Sequence, residues 1–326
     1  MTWVFLVLAY GIIKGFREIF KKKALEKSST IEVLFFYTFI SFILVLPEMK
    51  GAFSTDFSTL AVVALKSFTI FLAWICGFKA IGQMPVSLYG ILDLSRVLFS
   101  TGLGVIIIGE SLGKGQVIGL ILVVIGLLLL KINPEKIVSK SSKQINTDSS
   151  NSADAASGKS SLRKNGTFYV ILAFISAFLN AVSGTMDKLI MTNTDITEGH
   201  LQFWYMLFLV LFYLMFILVN LGLNKFRKNN GAKNEKGRTG FVFRLVPSLK
   251  NYWIWILAVI FVIADRCLFI ANADPNSTVT VMTLIKQSCS IVTIVAGKLV
   301  FHEKNILHKL FCALVIISGI VISVLL

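Results

Sequence analysis

Ten apolar stretches follow one another along the chain, at about 3–23, 31–48, 60–82, 86–108, 113–132, 168–191, 201–222, 252–272, 277–300 and 307–325. Crossing a hydrocarbon layer as a helix takes about 20 residues, and each stretch comes close to that length. The pattern predicts an all-α polytopic membrane protein with ten transmembrane helices. Between the fifth and sixth stretches runs "NPEKIVSKSSKQINTDSSNSADAASGKSSLRKNG", polar and rich in Ser, Asn and Lys. It has nothing to bury and predicts a disordered linker. The chain therefore divides into a first five-helix half (1–132), a linker (133–166) and a second five-helix half (167–326). The opening "MTWVFLVLAYGIIKGFREIFKKK" lacks the basic start and small-residue cleavage site of a signal peptide, and reads as a retained helix.

Composition strengthens the membrane reading. Of 326 residues 56% are hydrophobic and only 15% charged, with mean hydropathy +0.80. A soluble domain of this length is less apolar and more charged. The net charge of +15 does not point to nucleic acid, because most exposed Lys and Arg lie in short connections, where they set membrane orientation. Cys76, Cys267, Cys289 and Cys312 fall inside apolar stretches without metal-like or paired spacing, and His200, His302 and His308 are scattered at span edges. No metal site, nucleotide-binding motif or other cofactor site is expected.

The two halves repeat each other weakly. When "GESLGKGQVIGLILVVIGLLLL" is written under "HEKNILHKLFCALVIISGIVIS", Glu110 meets Glu303 and Gly126 meets Gly319; the same register carries Asp93 onto Lys286 and Ser95 onto Ser288. In a separate register Gly15 falls on Gly184 and Glu18 on Asp187. Loop charge adds an independent sign. The first helix is followed by the basic "KKKALEK", whereas its counterpart is followed by Asp195 and Glu198, with the basic cluster moved to "NKFRKNNGAKNEKGRTGFVFR". Opposite bias at equivalent loops is what two inverted five-helix repeats require. By the positive-inside rule both termini are expected outside.

The paired motifs "IIIGE" with "GQVIGLILVVIGLLLL", and the degenerate "LVFHEKNILHKLFCALVIISGIVIS", resemble the drug/metabolite transporter superfamily, EamA-type. The resemblance implies ten helices around a central cavity and secondary transport of small metabolites by alternating access. It also implies a multi-pass protein of a bacterial inner membrane, and cytoplasmic termini, opposite to the charge count.

Charges inside the apolar stretches carry the candidate chemistry. Each Asp, Lys or Arg at a helix centre costs roughly 2.5–3.5 kcal/mol on an insertion scale, which implies partners or a polar pathway. "GILDLSRVLFSTG" holds Asp93 and Arg96, three apart and able to bridge on one helix face. Repeat equivalence predicts that Asp93 and Lys286 face each other or a shared solute. In the first helix Lys14 lies near mid-depth, Arg17 and Glu18 nearer the surface. In the sixth, Ser176, Asn180, Ser183 and Asp187 share one face and predict a cavity lining. Asp265 and Arg266 point about 100° apart, so one is expected toward the cavity and the other toward a neighbour. Lys79 is included in the expected path, as is Gln287 beside Lys286; Lys66 is expected to snorkel and Glu110 and Glu303 to cap helix ends. The translocation path expected is thus Lys14, Glu18, Lys79, Asp93, Arg96, Asn180, Asp187, Asp265, Arg266, Lys286 and Gln287.

Basic residues modestly outnumber acidic ones among these deep positions, which predicts an anionic or zwitterionic small-molecule solute. Glu18 and Asp187 are candidates for a coupling proton. "GQVIG" permits close helix approach within a protomer or across a homodimer. A membrane enzyme would need a compact nucleophile, base or metal set, which the sequence lacks; a channel or sensor without transport activity is the remaining alternative.

Overall fold

The fold is described from a computed structural model. The structure describes residues 2–109, 113–131, 155–229, 243, 248–275, 277, 279–286, 289–303 and 306–325. Among these there is no strand. In chain order the helices are α1 (Thr2–Leu25), α2 (Thr30–Val45), α3 (Phe57–Gln83), α4 (Val86–Asp93), α5 (Arg96–Leu103) and α6 (Lys114–Lys131). They continue as α7 (Ala155–Asn193), α8 (Glu198–Asn229), α9 (Tyr252–Ala273), α10 (Val279–Lys286), α11 (Cys289–Leu299) and α12 (Ile306–Leu325). Six described helical stretches are long and apolar enough to cross a membrane: Thr30–Met49, Phe57–Gln83, Val86–Ile107, Thr167–Asn193, Glu198–Leu223 and Tyr252–Ala273.

Burial is inverted relative to a soluble protein. Lys14 and Lys66 are each 2% exposed, while Phe57 and Leu307 are each 83% exposed. A soluble chain would aggregate through such an apolar surface, whereas lipid solvates it. Local signals place several helix starts. Ser29 and Glu32 form a reciprocal capping box at α2, and the Asp56 carboxylate accepts the Ser58 N–H (3.0 Å) at α3. The side chain of Asn251 donates to the Ala24 carbonyl (2.9 Å), which pins the start of α9 to the end of α1.

Two elements differ from the sequence reading. α7 begins at Ala155, inside the stretch expected as linker, because Ala155, Ala156, Lys159, Leu162 and Arg163 favour helix despite the segment's polarity; the rest of that stretch, 133–154, lies outside the described residues. The fourth span is not one continuous α-helix. Across Leu94 and Ser95 the backbone tightens, with Leu94 N–H donating to Ile91 O and Ser95 N–H to Leu92 O, both 3.1 Å. Such a mid-helix tightening often marks a hinge or a sequence under strain.

α1 packs on α9 and α7 on α3; α1 meets α10 and α11, as α7 meets α4 and α5; α6 crosses α12, and α2 crosses α8. The offset that carries Asp93 onto Lys286 also carries the whole of α4 onto α10 and the start of α5 onto the start of α11. The α6–α12 crossing is close because glycines occupy it. A Cβ at Gly319 would stand 2.6 Å from the Leu122 Cβ and 2.8 Å from the Gly119 carbonyl oxygen, and one at Gly126 would clash with Ile316. The expected close approach of "GQVIG" therefore occurs within the chain.

Glu303, expected at a helix end, caps a helix of the opposite half. Its carboxylate accepts the Val86 N–H (2.6 Å), the Ser87 N–H (3.3 Å) and the Ser87 hydroxyl, and pairs with Lys309 (3.1 Å). Lys22 fastens the same turn by donating to the Met84 carbonyl (2.6 Å). Glu110, its counterpart in the expected repeat, lies outside the described residues.

Two predictions follow from this packing. Gly319→Leu overpacks backbone against backbone and is expected to destabilise by about 1–3 kcal/mol, seen as a lower melting temperature in detergent. Glu303→Gln removes an ionised cap worth about 1 kcal/mol. Burial pushes the Glu303 carboxyl up, but hydrogen bonds from Ser87 and Lys309 hold it below the usual range. Its contribution is therefore complete above the unfolded value of about 4.3 and is lost as pH falls further. Melting curves of wild type and Glu303→Gln should differ at pH 7 and converge in acid.

Candidate functional site

A cavity of about 60 Å³ lies between α1, α3, α5, α7, α8, α9 and α10. It holds on the order of four waters, or a solute of a few heavy atoms. Four cations line it, Arg17, Lys66, Arg96 and Lys286, against two carboxylates, Asp187 and Asp265. Asn180 and Ser183 add neutral polar groups, and Tyr10, Trp74, Tyr205 and Phe261 supply aromatic walls. A smaller chamber of about 20 Å³ adjoins it, lined by Lys14, Glu18, Lys21, Asp93 and Ser176. Arg17, Trp74, Arg96 and Asn180 border both chambers.

The fourth span sets the floor. Asp93 ends α4 and Arg96 begins α5, so each stands against the local helix dipole. They compensate one another: Arg96 Nη2 donates to Asp93 Oδ1 (2.9 Å), while Lys14 Nζ reaches Oδ2 (2.6 Å). Each carboxylate oxygen thus takes one cation. This corrects the expected opposition of Asp93 and Lys286. Asp93 is occupied by α1 and by its own span, and Lys286 makes no ion pair among the described residues. Its ammonium lies 5.9 Å from the Tyr10 ring centroid, at the end of α10, and faces the larger cavity.

The polar face of α7 lines the hollow as its spacing predicts. Ser176 donates to the Ala73 carbonyl (2.9 Å) and borders the small chamber; Asn180 donates to the Ser176 carbonyl (2.7 Å) and borders both. Ser183 is buried with its hydroxyl unpartnered. Asp187 pairs with Lys66 (3.0 Å), whose ammonium sits 3.5 Å from the Tyr205 ring centroid. Lys66 therefore does not snorkel. It stands nine residues past Phe57, about 14 Å along the helix, too deep to reach an interface.

Further positions divide. Glu18 lies in the small chamber, held by Lys21 (2.7 Å). Asp265 faces the large cavity, 3.9 Å from Arg17. Arg266 turns away, pairing with Glu48 (2.9 Å) and donating to Gln202 (2.9 Å), so it leaves the expected path. Lys79 leaves it too: one turn from the end of α3, it is exposed and its stem allows it to reach the surface. Gln287 lies outside the described residues. Sequence reasoning passed over Tyr10, Trp74, Tyr205 and Phe261, because an aromatic residue on an apolar helix carries no mark of facing lipid or cavity. Arg17, for which the sequence left a surface and a deep position both open, is deep: its guanidinium stacks on Phe261, with 5.3 Å to the ring centroid.

Breaking the Lys66–Asp187 pair leaves a buried charge without its partner. Lys66→Met is expected to destabilise by about 3–5 kcal/mol, and the double variant Lys66→Met/Asp187→Leu to recover much of that loss. Thermal melts of the three proteins, read as a double-mutant cycle, check it.

Compared with known proteins, residues 1–132 match the model of the EamA-like transporter family, which lies within the drug/metabolite transporter superfamily. No curated protein matches the chain. A solved crystal structure, 10% identical in sequence, superposes with a TM-score of 0.54 over 97% of this chain and 98% of its own. At that identity the likeness concerns the fold alone.

Proposed function

We propose that this chain, whose first half matches the EamA-like transporter family, is a secondary active carrier of a small polar solute, anionic or zwitterionic, working by alternating access. Two five-helix halves of inverted topology, ten spans in all, enclose the solute path. The pairing of α1 with α9 against α7 with α3, and the interruption of the fourth span beside Asp93, support this reading. Interrupted spans near mid-depth are where carriers of this build hold their solutes.

The observation that carries the proposal is the charge balance of the cavity: four cations against two carboxylates, inside an apolar shell. A net positive hollow attracts an oxyanion and repels a free cation. Lys286 is the basic group there without an ion pair among the described residues, and it is the proposed contact for the solute's negative end. A proton is the proposed coupling ion. Glu18 and Asp187, the carboxylates expected to carry it, are each held by a lysine. The lipid bilayer and the solute are the partners, with no chemistry performed on the solute.

Purified protein screened by thermal shift against small metabolites should be stabilised by anions or zwitterions, and the stabilising solute should show counterflow in proteoliposomes. Lys286→Gln removes one charged hydrogen bond, worth about 1.5–3 kcal/mol, and should weaken binding at least tenfold. Stabilisation by cations alone contradicts the solute class; binding without counterflow contradicts the carrier.

A further inference from the structure

The four carboxylates of the two chambers are not held alike. Asp93 takes Lys14 and Arg96 at 2.6 and 2.9 Å, Glu18 takes Lys21 at 2.7 Å, and Asp187 takes Lys66 at 3.0 Å. Asp265 is buried and has no hydrogen-bond partner among the described residues; its nearest cation, Arg17, is 3.9 Å away. That is beyond hydrogen-bond range. Arg17 is the complementary case. It is buried, it borders both chambers, and its Nε and Nη1 hydrogens find no acceptor among the described residues. Phe261 and Asp265 lie one turn apart on α9, so the ring under the guanidinium and the carboxylate beside it present a single face. The end-on pair of that guanidinium, Nη1 with Nη2, makes no hydrogen bond among the described residues and suits a planar oxyanion, which takes two parallel hydrogen bonds.

Resting on the reading of this hollow as the solute path, we propose that Asp265 is a displaceable counter-ion: an oxyanionic group of the solute, carboxylate or phosphate, takes the Arg17 fork from it, and Asp265 takes up the proton that accompanies the solute. The displaced carboxylate, left beside a second anion among buried side chains, favours its neutral form. One proton enters from the side that delivers the solute and leaves on the other, when the solute departs and Asp265 returns to Arg17. The remaining groups around Asp265 have other roles. Tyr10 of α1, Tyr37 of α2 and Tyr205 of α8 are phenols, Lys66 of α3 is held by Asp187 of α7, and Lys286 of α10, without an ion pair among the described residues, is placed to take the solute's other oxygen atoms.

The test uses the full chain in detergent with acetate, succinate and inorganic phosphate as probes and tetramethylammonium as the control. Calorimetry with acetate in buffers of different ionisation enthalpy should record about one proton taken up per acetate bound by the wild type; no proton uptake overturns the proposal without any variant. Asp265→Asn should bind acetate, which stays ionised throughout, with an affinity that changes far less between pH 5.5 and 8.5 than that of the wild type, which weakens as pH rises. Arg17→Lys, which keeps the charge but not the fork, should lose at least tenfold in affinity with its unliganded melting temperature retained. A wild-type pH profile in Asp265→Asn, or wild-type affinity in Arg17→Lys, overturns the assignment. Acetate against phosphate distinguishes the two oxyanions. Stabilisation by tetramethylammonium alone, or by none of the probes, overturns the solute class on which the proposal rests.

Discussion

Ionised groups inside a bilayer must find partners, and the rest of this structure depends on how that demand is met. Lys14, Arg17, Lys21, Lys66, Arg96 and Lys286 bring six positive charges to the two chambers; Glu18, Asp93, Asp187 and Asp265 bring four negative ones. Each would cost several kcal/mol alone in hydrocarbon. The tight pairs, at 2.6 to 3.0 Å, remove most of that cost and lock α1 to the fourth span and α3 to α7. What remains is concentrated in one place: Arg17, Asp265 and Lys286 face the larger hollow incompletely satisfied. A fold that only needed stability would have packed apolar side chains there.

The scaffold around the hollow is apolar and closely fitted. The largest core cluster joins α2, α3, α8 and α9 around Tyr37, Phe78, Tyr213 and Phe261, and the glycine crossing of α6 with α12 closes the far side. The halves meet mainly through these packed faces, α1 on α9, α3 on α7, α2 on α8 and α6 on α12, and hydrogen bonds join their ends: Glu303 on the start of α4 and Asn251 on the end of α1. Hydrogen-bonded ends of this kind can be exchanged for water at a membrane surface, whereas the packed faces cannot.

Much of this was legible in the sequence. Apolar run length located the helices, three-residue spacing foretold the Asp93–Arg96 bridge, and helical spacing foretold the polar face of α7. Lys66 was misread because its neighbours are apolar and a long stem suggests escape to the surface, although its depth in α3 forbids it. The opposition of Asp93 and Lys286 was inferred from equivalence in a repeat. Equivalent positions share a depth, but which side chains touch is decided by rotamers and by competing partners, here Lys14 and Arg96. Arg266 and Lys79 have the right chemistry on the wrong face. Periodicity in an apolar helix cannot distinguish those faces, since lipid and protein interior are equally dry.

The central claim is that a water-accessible, net positive hollow lies between the halves. Ser183 tests it most directly, being small, buried against the cavity and unpaired. In a background with Cys76, Cys267, Cys289 and Cys312 replaced, Ser183→Cys should react with membrane-impermeant thiol reagents, and faster with an anionic sulfonate reagent than with a cationic ammonium one of similar size. No labelling at all, or a preference for the cationic reagent, would contradict the account.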